Sequence, residues 1–178
     1  LKTVTANRIN RSEGFFFKFL YHCHKLLTYI FTGNHIRFGN YSFLPKADVL
    51  KLVQQACIWS SFTGSVTKII PDRLSIPSIR GKRYFGPSKM NFFNLLLHSF
   101  SIIAVFKNSV IKRSILFFVL YLFLIFDKLS IITLFPAIIL LAFLFIIFKV
   151  SSRENVDELK NSLDNINSID NLINSNNR

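Results

Sequence analysis

Leu129–Phe148 is a run of 20 residues without a single charge, and a chain holding such a run has few ways to fold in water. As a helix rising 1.5 Å per residue it covers about 30 Å, the thickness of a bilayer's hydrocarbon core. The preceding run, Ser114–Phe126, has only 13 residues. It reaches spanning length when Val110 and Ile111 are added and Lys112 and Arg113 extend their heads toward the headgroups. Asp127-Lys128 alone separates the two runs, so it reads as the tight turn of a transmembrane hairpin with spans near 110–126 and 129–148. Pro136 falls inside the second span, where lipid-exposed helices tolerate a kink. Two core helices of a soluble domain are the alternative. The 21 Phe and the 51% hydrophobic content of the chain argue against it.

Charge divides the chain at the same place. Residues 1–113 carry 17 Lys and Arg against 3 Asp and Glu, and residues 151–178 carry 3 against 5. The net +13 therefore sits wholly on the N-terminal side of the apolar block. Such a surface suits phosphate: anionic headgroups, nucleotide sugars or nucleic acid. Lys107, Lys112, Arg113, Lys149 and Arg153 flank the outer ends of the hairpin. By the positive-inside rule those ends, and both termini, are cytoplasmic and Asp127-Lys128 faces the far side.

Ahead of the hairpin the pattern alternates between helix and strand. Ser12-Glu13-Gly14 starts a helix over Phe15–Phe31 that Gly33 ends. His35–Leu44 is β-prone, and Gly39-Asn40 within it marks a turn or a close backbone approach. Pro45 precedes a helix over Ala47–Ala56, Val66–Ile70 reads as a short strand, and Ile76–Tyr84 as an extended basic segment. Asn91–Phe106 differs in kind. Asn91, Asn94, His98 and Ser101 line one narrow helical face and the rest is apolar, as in a helix lying in a membrane interface or buried in a core. Its place just before the hairpin favours the interface. In the tail, Val156, Leu159, Leu163 and Ile166 predict an amphipathic helix over Glu154–Ile173. It rests on its own domain, or zips two copies into a homo-oligomer.

The chain opens on Leu1 with no charged start followed by an apolar run, so no signal peptide is read there. The expectation is a fragment lacking its N-terminal portion. Cys23 and Cys57 have no CxxC spacing and read as buried free thiols. His22, Cys23 and His24 are adjacent, so on a helix they point apart and do not close a metal shell; no metal site is expected.

Two basic clusters are candidates for chemistry: Arg8 and Arg11 in TANRINRSE, and Arg80, Lys82, Arg83 and Lys89 in RGKRYFGPSKM. Gly and Ser beside Arg and Lys let amides and side chains converge on one anion, and Arg holds two phosphate oxygens at once. Charge alone equally allows a solvated surface drawn to acidic lipid.

The second cluster followed by a hairpin resembles the C-terminal half of bacterial membrane-anchored family 2 glycosyltransferases, the branch of polyprenyl-phosphate sugar transferases and dolichyl-phosphate mannosyltransferase. Arg83, Gly86, Ser88 and Lys89 match its Arg-x-x-Gly-x-Ser/Thr-Lys element, Arg8 and Arg11 its R-x-x-R segment, and Gly39-Asn40-Tyr41 its Gly-Asn/Asp-Phe segment. The resemblance implies an α/β fold, residues 1–90 being the rear of a GT-A domain. An amphipathic juxtamembrane helix at 91–107, two transmembrane helices at 108–150 and a cytoplasmic acidic tail at 151–178 follow. It implies donor or acceptor phosphate binding by Arg8, Arg11, Arg80, Arg83, Ser88 and Lys89, and an acceptor pocket shaped by Asn40. It also implies a nucleotide-sugar donor, a polyprenyl-phosphate or other lipid-linked acceptor, and the bacterial plasma membrane as location. The Asp-x-Asp that holds Mg2+ or Mn2+ in the family is not in this chain, where residues 1–113 have only Glu13, Asp48 and Asp72 as acids. The piece alone is expected to be inactive, and no catalytic residue is assigned. Residues 49–65 also lack an acid where the family often has a base; only Trp59, Ser60 and Ser61 are there. A sugar hydroxyl needs such a base, whereas a lipid phosphate is already anionic. A non-catalytic scaffold of a polysaccharide assembly complex is the rival reading. A nucleic-acid binder is not expected, since the basic residues are not interleaved with stacking aromatics.

Overall fold

In the computed structural model, residues 1–10, 15–79, 91–162 and 164 are described. The first segment is a strand, β1 (Val4–Asn10), where the sequence reads only as polar and basic. It is the middle strand of a three-stranded sheet, antiparallel to β2 (Phe38–Phe43) and parallel to β3 (Leu74–Ile79). Its alternation is carried by threonines. Thr3 and Thr5 are buried, Thr3 donating to Asp48 Oδ2 at 2.7 Å and Thr5 to the Leu74 carbonyl at 3.3 Å. Hydroxyls that find partners are buried as readily as methyls, which is why a hydrophobic pattern missed this strand.

Between β1 and β2 runs α1 (Phe15–Thr32), which ends at Gly33 with φ of +77°, the left-handed turn that glycine adopts at no steric cost. The β2 strand passes through Gly39 and Asn40 without the expected turn, and what comes close at Gly39 is a side chain, that of Arg8, and not a backbone. The helix α2 (Lys46–Val53) starts after Pro45, with Asp48 in its first turn. A 3-10 turn at Ala56–Trp59 leads to α3 (Phe62–Ile69). The strand expected over Val66–Ile70 is thus mostly helix. Ser61 accepts the Gly64 amide at 3.2 Å, and that N-cap sets the direction of the following turn against the β-branched propensity of Val66, Thr67 and Ile69. Phe38, Leu52, Val66 and Ile70 form the core under the sheet.

Three long helices make the second layer. The helix α4 (Phe92–Ala104) starts at Asn91, whose side chain accepts the Asn94 amide at 2.8 Å. Then α5 (Lys107–Ile125) and α6 (Ile131–Ser151) run antiparallel around a 3-10 turn at Phe126–Lys128. Ser130 and Thr133 cap α6 reciprocally, and the Tyr121 hydroxyl donates to the Thr133 carbonyl at 2.7 Å across the helix pair. Ile103, Ala104, Val110, Ile147 and Val150 lock the polar ends of α4, α5 and α6 together. Beyond that cluster the hairpin is uncovered. Phe123 is 79% exposed and Ile131 88%. Both helices are long and apolar enough to cross a membrane, and only 11% of each candidate span is buried. A soluble core helix would be covered. Of the amphipathic helix expected over Glu154–Ile173, the described part is the single turn α7 (Val156–Lys160). Cys23 and Cys57 are free thiols, the first half-buried and the second buried.

Candidate functional site

Strand order brings two of the sequence segments into contact. Arg8 stands on β1 opposite Ser78 of β3, and its amide donates to the Arg37 carbonyl at the mouth of β2 at 3.0 Å. Its guanidinium lies over Gly39, filling the space that a Cβ at that position would take. Gly39 is therefore a close-approach glycine: any side chain there would displace the tip of Arg8.

His98 stands on α4, with an exposed residue surface but a partly desolvated ring. That desolvation first, and the positive charge of Arg8 second, hold its pKa below the ordinary 6.5. Arg8 itself sits against the second strand, and its guanidinium is a group able to hold an anion.

The other expected site residues divide into two groups. Asn40 is exposed on β2, and strand alternation turns its side chain to the face opposite the one on which Arg8 covers Gly39. The structure does not bring Asn40 and Arg8 together. Arg11, Arg80, Arg83, Ser88 and Lys89 lie outside the described residues. The chain leaves β3 at Ile79, at the same end of the sheet as Arg8, one residue before that second cluster begins. His98 was visible in the sequence only as one of four polar residues on a helix face. Nothing local connects it with Arg8.

Arg113 has a different task from the one expected of it. Nη1 donates to the Ile30 carbonyl at 3.0 Å and the guanidinium covers Gly33, so a cation from α5 caps the C-terminal end of α1. Lys107 pairs with the nearly buried Glu154 at 3.4 Å and ties the segment after α6 to the start of α5. Among the described residues no three His, Cys, Asp or Glu side chains gather so as to hold a metal ion. A wide cleft lined by Trp59, Asn155, Asp157 and Glu158, and an apolar one between Phe31, Phe117, Tyr121 and Pro136, have neither Arg8 nor His98 in their walls.

The molecule is thus a small mixed α/β head seated on a pair of apolar helices of membrane-spanning length. Compared with family models, curated proteins and solved structures, the chain matches none.

Proposed function

We propose that the chain is the C-terminal, membrane-anchored portion of an inverting family 2 glycosyltransferase. The enzyme moves a sugar from a nucleotide-sugar donor to a polyprenyl phosphate or another lipid-linked acceptor in bacterial surface-polysaccharide synthesis. It works at the cytoplasmic face of the plasma membrane, with both termini cytoplasmic. The observation that carries this reading is the seat of Arg8 on Gly39. Two segments picked out separately by the resemblance, on either side of α1, meet on neighbouring strands. The third segment, Arg83–Lys89, follows β3 in the chain and lies outside the described residues.

A second observation supports the expectation that a further α/β half completes the enzyme. One sheet face, with Val4 opposite both Phe43 and Leu74 and Ala6 opposite Ile76, has no helix packed on it among the described residues. Tyr41 and Phe43 on β2 are 79% and 54% exposed. A half-covered sheet of this kind calls for another layer, and the donor half, with the acids that hold Mg2+ or Mn2+, would provide it.

Within that reading the acceptor's phosphate oxygen attacks the anomeric carbon, and the bond from that carbon to the nucleoside diphosphate breaks. The acceptor is already ionised, so no base is needed. Arg8 and Arg11 offset charge on the diphosphate or on the acceptor phosphate. Arg80, Arg83, Ser88 and Lys89 hold the acceptor phosphate at headgroup depth, and Asn40 belongs to the acceptor side. The test is transfer of labelled sugar to polyprenyl phosphate by the chain joined to the half encoded upstream of it. Arg83→Ala is expected to lower the rate on the order of 10²–10³-fold. Wild-type turnover by that variant, or glycosylation of soluble sugar hydroxyls only, would refute the reading. An upstream frame without an α/β half would leave the scaffold in its place.

A further inference from the structure

The helix α1 is amphipathic with its faces reversed. At about 100° per residue, Phe19, His22, Leu26, Leu27 and Tyr29 fall on one broad arc and all five are exposed, with Cys23 and Ile30 on the same arc half-buried. Phe19 is 57% and Leu26 59% exposed, while Thr28 and Thr32 on the opposite side are 2% and 5% exposed. The buried hydroxyls are satisfied within the helix, Thr28 donating to the His24 carbonyl at 2.8 Å and Thr32 to the Thr28 carbonyl at 2.6 Å. A helix on a water-soluble domain turns its apolar face inward. Small and hydroxylated residues inside with large apolar ones outside is the packing of helices in lipid.

We infer that α1 lies in the membrane interface, its Phe19–Leu26–Leu27–Tyr29 face among the acyl chains, as a second juxtamembrane helix beside α4. The occupant is the bilayer because α1 is joined to the spanning helices at a fixed depth. Arg113 in the early turns of α5 holds the Ile30 carbonyl, and Phe31 packs on Phe117 of α5 and Phe143 of α6 at ring distances of 5.9 and 4.6 Å. One turn beyond Arg113, Phe117 is already within the apolar span, so the C-terminal end of α1 sits at the polar edge of the hydrocarbon. Charge fits as well: α1 contains Lys18 and Lys25 and no acid, suited to anionic headgroups. Lys25 reaches back over the Tyr21 ring at 5.3 Å.

This inference rests on α5 and α6 crossing the bilayer and not on the transferase reading. Trp59 is the chain's single tryptophan, so in a Trp59→Phe background each introduced tryptophan reports alone. The full chain is reconstituted in two sets of vesicles. One has phospholipids brominated near the headgroup end of the chains, to read α1, and the other has them brominated near the chain ends, to read Ile139 of α6. Leu26→Trp and Phe19→Trp are expected to lose most of their emission to the brominated lipid and to resist aqueous iodide, as Ile139→Trp in α6 does. Lys51→Trp, on the exposed side of α2, should respond to iodide alone. Quenching of Leu26→Trp and Phe19→Trp by iodide and not by bromine would overturn the inference. Shielding from both would also overturn it, in favour of a second copy or another protein on this face. An unquenched Ile139→Trp would remove the spanning helices and this inference together.

Discussion

Arg8 and Gly39 work as a pair. The atoms that a Cβ at Gly39 would meet belong to the end of a flexible side chain, so Gly39→Ala moves Arg8 without breaking the strand. Under the proposed transferase function, Gly39→Ala and Arg8→Ala in the chain joined to its upstream half are expected to lower sugar transfer comparably, on the order of 10-fold or more, with little change in unfolding temperature. Gly39→Ala at wild-type rate would sever Arg8 from the chemistry. His98 reports on the charge of Arg8. Its lowered pKa means that the folded chain binds fewer protons than the unfolded one between that pKa and 6.5. Stability contributed there is complete above 6.5 and declines as pH falls through this window, levelling off once the folded-state imidazole is also protonated. Arg8→Gln removes one of the two causes, so an imidazole titration by NMR in micelles should show the His98 pKa rise toward 6.5. An unmoved titration would place Arg8 out of electrostatic reach.

At the scale of elements, the head meets the membrane layer where α3 crosses the end of α4. A Cβ on Gly64 would come within 3.0 Å of Val105 Cγ2 and 3.2 Å of the Ile102 carbonyl oxygen. Beside it Lys68 donates to the Val105 carbonyl at 3.0 Å. A larger residue gains about 1 kcal/mol of helix propensity over glycine, but the α4 backbone cannot yield. Gly64→Leu should therefore destabilise the chain by about 1–3 kcal/mol, lowering the midpoint in detergent by about 2–4 °C per kcal/mol. An unchanged midpoint would mean that the two layers are not seated there. Element identity was readable wherever one periodicity dominated, as in α1, α4, α5 and α6. It was misread at Val66–Ile70, where β-branched residues suggest a strand and the Ser61 cap decides for a helix.

For the molecule as a whole, both outer ends of the hairpin lie on the side of the head. The bond from Lys107 to Glu154 ties them there, and Lys107, Lys112, Arg113, Lys149 and Arg153 surround that side. With the native cysteines Cys23 and Cys57 replaced by serine, a cysteine at Lys128 should react with a membrane-impermeant maleimide from outside intact cells. One at Lys160 should react only after permeabilisation. The reverse pattern would invert the topology, since it would put the basic flank on the side that the positive-inside rule excludes.

The sequence by itself determined the hairpin and the place of its turn. Twenty uncharged residues and a second apolar run, parted only by Asp127-Lys128, predict two long apolar helices joined by a tight turn. It also showed the division of charge and the glycine end of α1, because capping and composition are local. It did not reveal β1, where Thr5 within the strand and Thr3 just before it become core-compatible only beside Leu74 and Asp48. Nor could it show that α1 is turned inside out, that Arg113 caps that helix, or that Arg8 covers Gly39 and its charge reaches His98. Each of these joins residues tens of positions apart, so it exists only once sheet order and helix packing have fixed which backbones are neighbours.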